Sequence, residues 1–154
     1  MSVIKSFRGL IADAAQDTIA LHTNNGSTGY RIVKFQLMPE KPGGADNESS
    51  VKIYKVEQTI SSIDAVVDFN DPTLIAVATI SNQTSQRFYP VTSEVIFDNE
   101  IFNQDIYVTH EDQNGSAAVN YYIELEQIKL DLAENTLATL KDIRNIEGGL
   151  FPTP

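Results

Sequence analysis

Residues 105–130 read DIYVTHEDQNGSAAVNYYIELEQIKL, which is two alternating apolar and polar runs on either side of an Asn-Gly pair. Asn114–Gly115 can take the positive φ that both central positions of a tight hairpin turn require. Alternation with period two is typical of a strand that buries one face. The pattern therefore predicts one long hairpin, with its strands over 105–112 and 117–128.

The second of these strands changes its apolar face along its length. Ile123 and Leu125 have odd numbers, whereas Ile128 and Leu130 have even numbers. Since successive side chains of a strand point to opposite faces, the shift predicts a β-bulge near Glu126–Gln127. The alternative is a strand end that is buried on both faces.

The rest of the chain shows the same kind of short β-like run, bounded by Gly, Asn, Asp, Pro and Ser. Such spacing favours an antiparallel sandwich or barrel. In 29–38 we expect Val33, Phe35 and Leu37 to share one face, and in 18–23 Ile19 and Leu21 to share one. The nearly apolar run 73–81 suits a central strand. The further predicted strands are 18–23, 29–38, 51–59, 73–81 and 94–97.

One helix is predicted, near the end of the sequence. Asp131 precedes Glu134 by three residues, which is a capping-box pattern, and Lys141 and Arg144 fall near the other end of 131–145. The expected fold class is therefore all-β: an antiparallel β-sandwich, jelly-roll-like, with one C-terminal α-helix. Residues 1–131 would form the sandwich with an N-terminal arm over 1–12, and 132–154 the helix and a short apolar tail of the same domain.

Composition narrows the classes of function. The 154 residues suit one domain. The absence of cysteine excludes a disulfide framework and a thiolate nucleophile. A net charge of −10 without a Lys or Arg cluster argues against binding to nucleic acid. No apolar run of the length that spans a bilayer is present, so we expect no membrane partner.

The stretch VIFDNEIFNQDIYVTHED, residues 95–112, holds the densest cluster of candidate ligands. A calcium ion held by Asp98, Glu100 and Asp105 is conceivable, although the glycine and distal glutamate of a calcium loop are missing. A zinc site would need His22 and His110 together with a carboxylate. We expect instead that both histidines are exposed strand-end residues, and that the acids and amides lie at turn and edge positions.

No other motif indicates chemistry. The sequence has no phosphate-binding glycine loop, nucleophile elbow or metalloprotease motif. Paired carboxylates could hydrolyse glycosides, but such sites commonly come with aromatic platforms and the chain has no tryptophan. We therefore predict no enzyme activity, and assign no catalytic, cofactor-binding or metal-binding residue and no cofactor.

Three phrases of the sequence resemble a group of small virion proteins of marine tailed bacteriophages: TGYRIVKF (28–35), FDNEIFNQDIYVTH (97–110) and YYIELEQIKLD (121–131). With the stretches around them, the resemblance spans nearly the whole chain. It implies a structural role in the particle, with head decoration or cement proteins as the expected class. The family supplies no catalytic motif and no functional residues to transfer.

From the resemblance we expect a virion protein on the outer surface of the phage head that stabilises the head by bridging shell subunits. Its partners would be the major capsid protein and copies of itself, with a homotrimer favoured, because cyclic oligomers match the symmetry axes of a shell. The alternative is a tail, neck or fibre component, or a receptor- or glycan-binding β-sandwich module. A metal-dependent lectin or a carbohydrate-active enzyme is the rival from a different class.

Overall fold

The computed structural model describes residues 3–21, 27–44, 46–82, 91–97 and 100–130. These residues form eight strands and one 3₁₀ turn, Ile60–Ser62. The strands are Val3–Ile11 (β1), Ala15–Ile19 (β2), Thr28–Pro39 (β3), Asn47–Tyr54 (β4), Leu74–Asn82 (β5), Val91–Ile96 (β6), Ile106–Asp112 (β7) and Val119–Lys129 (β8).

The strands make two antiparallel sheets. The first has the order β1-β8-β3 and the second the order β2-β7-β4-β5-β6. The all-β prediction is therefore confirmed, and the two sheets share one apolar core as in a β-sandwich. The run predicted as a central strand is β5, which lies between β4 and β6.

The core forms where the alternating apolar positions of the two sheets meet. Phe35 and Ile123 enter it from the first sheet, and Ile53 and Val108 from the second. The predicted inward pair Ile19 and Leu21 is buried as well. Further fully or nearly fully buried members of this cluster are Ile11, Ile32, Val51, Ile75, Ile80, Phe102, Ile106, Val119 and Leu125.

The predicted hairpin of 105–112 and 117–128 is wrong. β7 pairs with β2 and β4 in the second sheet, whereas β8 pairs with β1 and β3 in the first. Gly43 and Ala14 have positive φ among the described residues, but Asn114 and Gly115 do not. Because a two-residue type I′ turn needs positive φ at both central positions, 113–118 instead carries the chain from one sheet to the other.

The predicted bulge lies on the opposing strand. β8 pairs with β1 without interruption, and the register shift falls between Ile32 and Lys34 of β3, opposite Leu125 and Glu124. The extra residue is Val33, which is exposed, so the prediction that it shares a buried face with Phe35 is wrong. Alternation in the sequence cannot say which of two paired strands holds the extra residue.

The predictions for the two ends of the chain have different outcomes. Val3–Ile11 is an edge strand of the first sheet along its whole length, paired with β8, and so is part of the sheet rather than an arm. The predicted helix over 131–145 and the apolar tail lie outside the described residues.

Tyr121 of β8 joins the two sheets through a polar contact at the margin of the core. Its ring packs across Gly9 of β1, where an added Cβ would meet the phenol oxygen at 3.0 Å. Its hydroxyl donates a hydrogen bond of 2.9 Å to Asp17 Oδ2 in β2. Burial raises the pKa of Tyr121 well above its usual range, and the bond to Asp17 and the negative charge of that residue add to the shift.

We expect Tyr121→Phe to lower the free energy of unfolding by about 1–2 kcal/mol near neutral pH, because the bond to Asp17 is lost. A raised pKa in the folded state stabilises the fold fully below the unfolded value of about 10 and is lost as pH rises through the folded value. The cost of the substitution should therefore shrink above about pH 10. Urea titrations across this range measure it, and a cost that stays constant with pH would contradict the assignment.

Candidate functional site

Of the three carboxylates considered for a calcium ion, the two that the structure describes make separate internal contacts. Glu100 Oε2 accepts a hydrogen bond from Lys55 Nζ at 3.2 Å, and Asp105 Oδ1 accepts one from the Leu21 backbone N–H at 2.8 Å. Asp98 lies outside the described residues. Within the described part of the chain, no group of three or more His, Asp or Glu side chains is placed to hold a metal ion.

The same stretch crosses between the sheets. β6 belongs to the second sheet, but Phe102 then makes an isolated antiparallel bridge with Tyr30 of β3 in the first. Tyr30 N donates to Phe102 O at 2.7 Å, and Phe102 N donates to Tyr30 O at 3.0 Å. Residues 97 and 100–105 are thus a connection between strands; Asp98 and Asn99 of the predicted turn lie outside the described residues, and Asn103 is buried.

His110 is completely buried, so the prediction that it is an exposed strand-end residue is wrong. Its Nδ1 lies 3.0 Å from the Ala12 carbonyl oxygen and its Nε2 lies 2.9 Å from Ser49 Oγ. A carbonyl only accepts, so Nδ1 carries the proton in the neutral ring and Nε2 accepts from the serine hydroxyl. Ser49 Oγ in turn accepts from Asn47 Nδ2 at 2.9 Å. His22 lies outside the described residues.

The Ser49–His110 pair has the spacing of a nucleophile and its general base. A groove of about 360 Å³ runs past Ser49 and its neighbour Ser50. However, the Ser49 side chain is buried, and its hydroxyl bonds to His110 on one side and Asn47 on the other. These contacts satisfy the Ser49 hydroxyl and both ring nitrogens of His110, as buried polar groups require. The pair therefore acts as internal support for the fold.

Next to this network, Asp112 binds the connection that leads from β7 in one sheet to β8 in the other. Its buried carboxylate accepts three backbone N–H groups at 3.0 Å, those of Glu48, Asn114 and Ala117. Its own N–H donates to Asp13 Oδ1 at 2.7 Å, in the turn between β1 and β2. The chain passes from one sheet to the other twice here, between β1 and β2 and between β7 and β8. Asp112 links both of these connections to the start of β4.

We expect Asp112→Asn to lower the free energy of unfolding by about 2–4 kcal/mol, since an amide cannot accept on both sides and hydrogen bonds to a charged group are the stronger kind. Glu111→Gln is the matched control because it removes one charge from the adjacent position of the same strand, and it should change stability by less than about 0.5 kcal/mol. Chemical denaturation of both variants measures this. Equal effects would refute a structural role for Asp112.

A long segment covers the outer face of β4. Lys52 Nζ, on a side chain only 5% exposed, donates to Asp64 Oδ1 at 3.0 Å and to Val66 O at 2.6 Å. Ser50 Oγ donates to Ala65 O at 3.0 Å. No local pattern indicates this cover, because Lys52 occupies a polar position of an alternating strand and would ordinarily face water.

This braced segment presents apolar side chains outward. Ile60 is 56% exposed, Val66 65%, Val67 39% and Phe69 55%. We call these four side chains the loop surface. The charged residues of 56–71 are all acidic: Glu57, Asp64, Asp68 and Asp71. Exposed apolar side chains gathered on one fixed segment and flanked by charge are typical of a contact surface.

Two further cavities open on the described surface. One of about 690 Å³ lies among β1, β3, β6 and β8, and combines apolar walls with hydrogen-bonding side chains. Its lining includes Arg8, Leu10, Gln36, Met38, Glu94 and Tyr122. A smaller one of about 410 Å³ lies beside Phe69, at the end of β6. Neither brings together the nucleophile, base and charge-stabilising donors that an acyl-transfer site needs.

Comparison with known proteins found no matching family model, no matching curated protein and no matching solved structure. Among the described residues, no helix has the length and apolar character to cross a membrane.

Proposed function

We propose that the chain is a non-enzymatic structural protein of a bacteriophage virion, a decoration or cement protein on the outer surface of the head. The observation that carries this proposal is the loop surface. Its four exposed apolar side chains sit on a segment that buried Lys52 holds against the second sheet. An apolar surface of fixed shape suits a protein that works by burying area against a neighbour.

The internal use of the polar residues supports a role in contact rather than catalysis. Asp105, Ser49, His110 and Asp112 are the residue types that reactions need, yet each makes hydrogen bonds within the fold. The bacteriophage context comes from the resemblance of the phrases TGYRIVKF, FDNEIFNQDIYVTH and YYIELEQIKLD to virion proteins.

The strand order supports a finer description of the fold, a jelly-roll variant. An eight-stranded jelly roll is a folded ribbon whose strands pair as 1 with 8, 2 with 7, 3 with 6 and 4 with 5. Here β1 pairs with β8, β2 with β7 and β4 with β5, while β6 pairs with β5 instead of β3. Jelly rolls occur in viral capsid and lectin domains, so the fold is compatible with a virion role without specifying one.

The partners we propose are the major capsid protein of the shell and further copies of this chain. A cyclic homotrimer fits the symmetry axes of a shell and would multiply each contact. The net charge of −10 disfavours nucleic acid as a partner. Each copy would bridge neighbouring shell subunits and so add buried interface to the head.

A second candidate, a receptor- or glycan-binding module on the tail, neck or fibre, is favoured by the cavity of about 690 Å³. Side chains that can hydrogen-bond to sugar hydroxyls, among them Gln36, Asn120 and Tyr122, line it beside apolar ones. Concave sites that mix apolar walls with a few polar groups are typical of small-molecule ligands.

Imaging of intact virions that contain the chain separates the two. We expect many copies at repeated positions on the outside of the head, and particles lacking the protein should release their DNA at a lower temperature. A few copies at one vertex, or none on the head, would refute the decoration role. Location on a tail fibre would favour the ligand-binding module.

A further inference from the structure

The cavity of about 410 Å³ beside the loop surface has the chemistry of a side-chain pocket. Five apolar residues form its sides: Phe69 and Pro72 from the covering segment, Leu74 at the start of β5, and Ile96 and Phe97 at the end of β6. The Phe69 and Phe97 rings meet edge to face with their centroids 5.3 Å apart. Two carboxylates, Asp71 and Glu100, also line it.

Both carboxylates are fixed by their neighbours. Asp71 Oδ1 accepts from the Thr73 N–H at 2.9 Å and from the Thr73 hydroxyl at 2.7 Å, so this side chain is held in one orientation. Glu100 pairs with Lys55 Nζ. The pocket thus combines aromatic walls with the carboxylate of Asp71, while the Lys55 ammonium offsets the charge of Glu100.

We infer that this pocket receives an arginine side chain of a partner polypeptide, with an apolar residue beside it packing on Phe69. The methylene stem of arginine can lie along apolar walls while its planar guanidinium stacks on an aromatic ring and binds a carboxylate. The local charge favours such a partner, because residues 56–71 carry four acidic and no basic side chains. A second copy in a two-fold contact is a poor occupant, since the acidic segments 56–71 of the two copies would face and repel each other.

The inference deepens the proposed function and rests on it only for the identity of the partner, which would be a shell subunit. In that setting, the arginine would anchor the contact while the loop surface buries the surrounding apolar area. Aromatic and arginine side chains in central pockets commonly dominate the binding energy of interfaces.

The test titrates the ¹⁵N-labelled chain with an acetylated, amidated pentapeptide that has arginine between two leucines. A matched peptide with citrulline, which has the shape of arginine without its charge, is the comparison. We expect concentration-dependent shifts of the backbone amides of residues 69–71, 73, 96 and 97 with the arginine peptide. Binding of the citrulline peptide should be about tenfold weaker, and added salt should weaken binding of the arginine peptide.

Two substitutions locate the interaction. Asp71→Asn keeps an oxygen that can accept from Thr73 and should weaken binding of the arginine peptide about tenfold. Asp68→Asn is the matched control, because it removes one charge from the same segment outside the pocket, and binding should be retained. Phe69→Leu provides an independent variant at an exposed position, and it should weaken the binding of both peptides.

Equal binding of the two peptides, shifts elsewhere on the chain, or equal effects of Asp71→Asn and Asp68→Asn would overturn the inference. These outcomes do not depend on where the protein lies in a virion. If the pocket fails to bind arginine, a location on the head found by imaging would still support the decoration role. If imaging places the protein on the tail, arginine binding by the pocket would still hold.

Discussion

The fold depends on how a two-stranded ribbon changes sheets. The β1–β8 pair lies in the first sheet and the β2–β7 pair in the second, so residues 12–14 and 113–118 must cross side by side. Such a crossing interrupts the ladder of backbone hydrogen bonds and leaves N–H groups that need acceptors. Asp112 accepts two of them, from Asn114 and Ala117, and a further N–H from Glu48 of β4, while His110 bonds to the Ala12 carbonyl across the same crossing. These groups fix one junction between the two sheets, alongside the Tyr30–Phe102 bridge and the Tyr121–Asp17 hydrogen bond.

Buried polar side chains also determine the position of an exposed apolar surface. β4 has its inner face in the core, while Ser50 and Lys52 on its other face hold the segment that carries Ile60 and Phe69. A buried ammonium group is costly unless it is paired, and Lys52 meets both a carboxylate and a carbonyl. The same contacts that satisfy Lys52 therefore fix the position of the exposed apolar side chains.

The sequence predicts the strands well because alternation is a local property. The alternating runs around Phe35 and Ile123 are both strands, and Phe35, Ile123 and Leu125 enter the core as predicted, whereas the bulge at Val33 turns that side chain outward. Which strands pair with each other could not be predicted in the same way. The Asn114–Gly115 signal predicted a hairpin, but the carboxylate of Asp112 stabilises a different path between the sheets. Exposure of His110 was predicted from its place at the end of a run, whereas its partners Ala12 and Ser49 lie 98 and 61 residues away. Local patterns hold no information about such contacts, and the same limit hid the cover over Lys52.

The central claim is that His110, Asp105 and Asp112 stabilise the fold through internal hydrogen bonds, and that the protein acts through contacts of its exposed surface. Native-state hydrogen exchange tests it most directly at Asn114 and Ala117, which lie in an irregular connection and donate to Asp112. If Asp112 fixes the crossing, their amide protons should exchange only through global unfolding, at the same free energy as the core amide of Val108. Exchange of both amides at the rate of an open turn, while Val108 stays protected, would contradict the account.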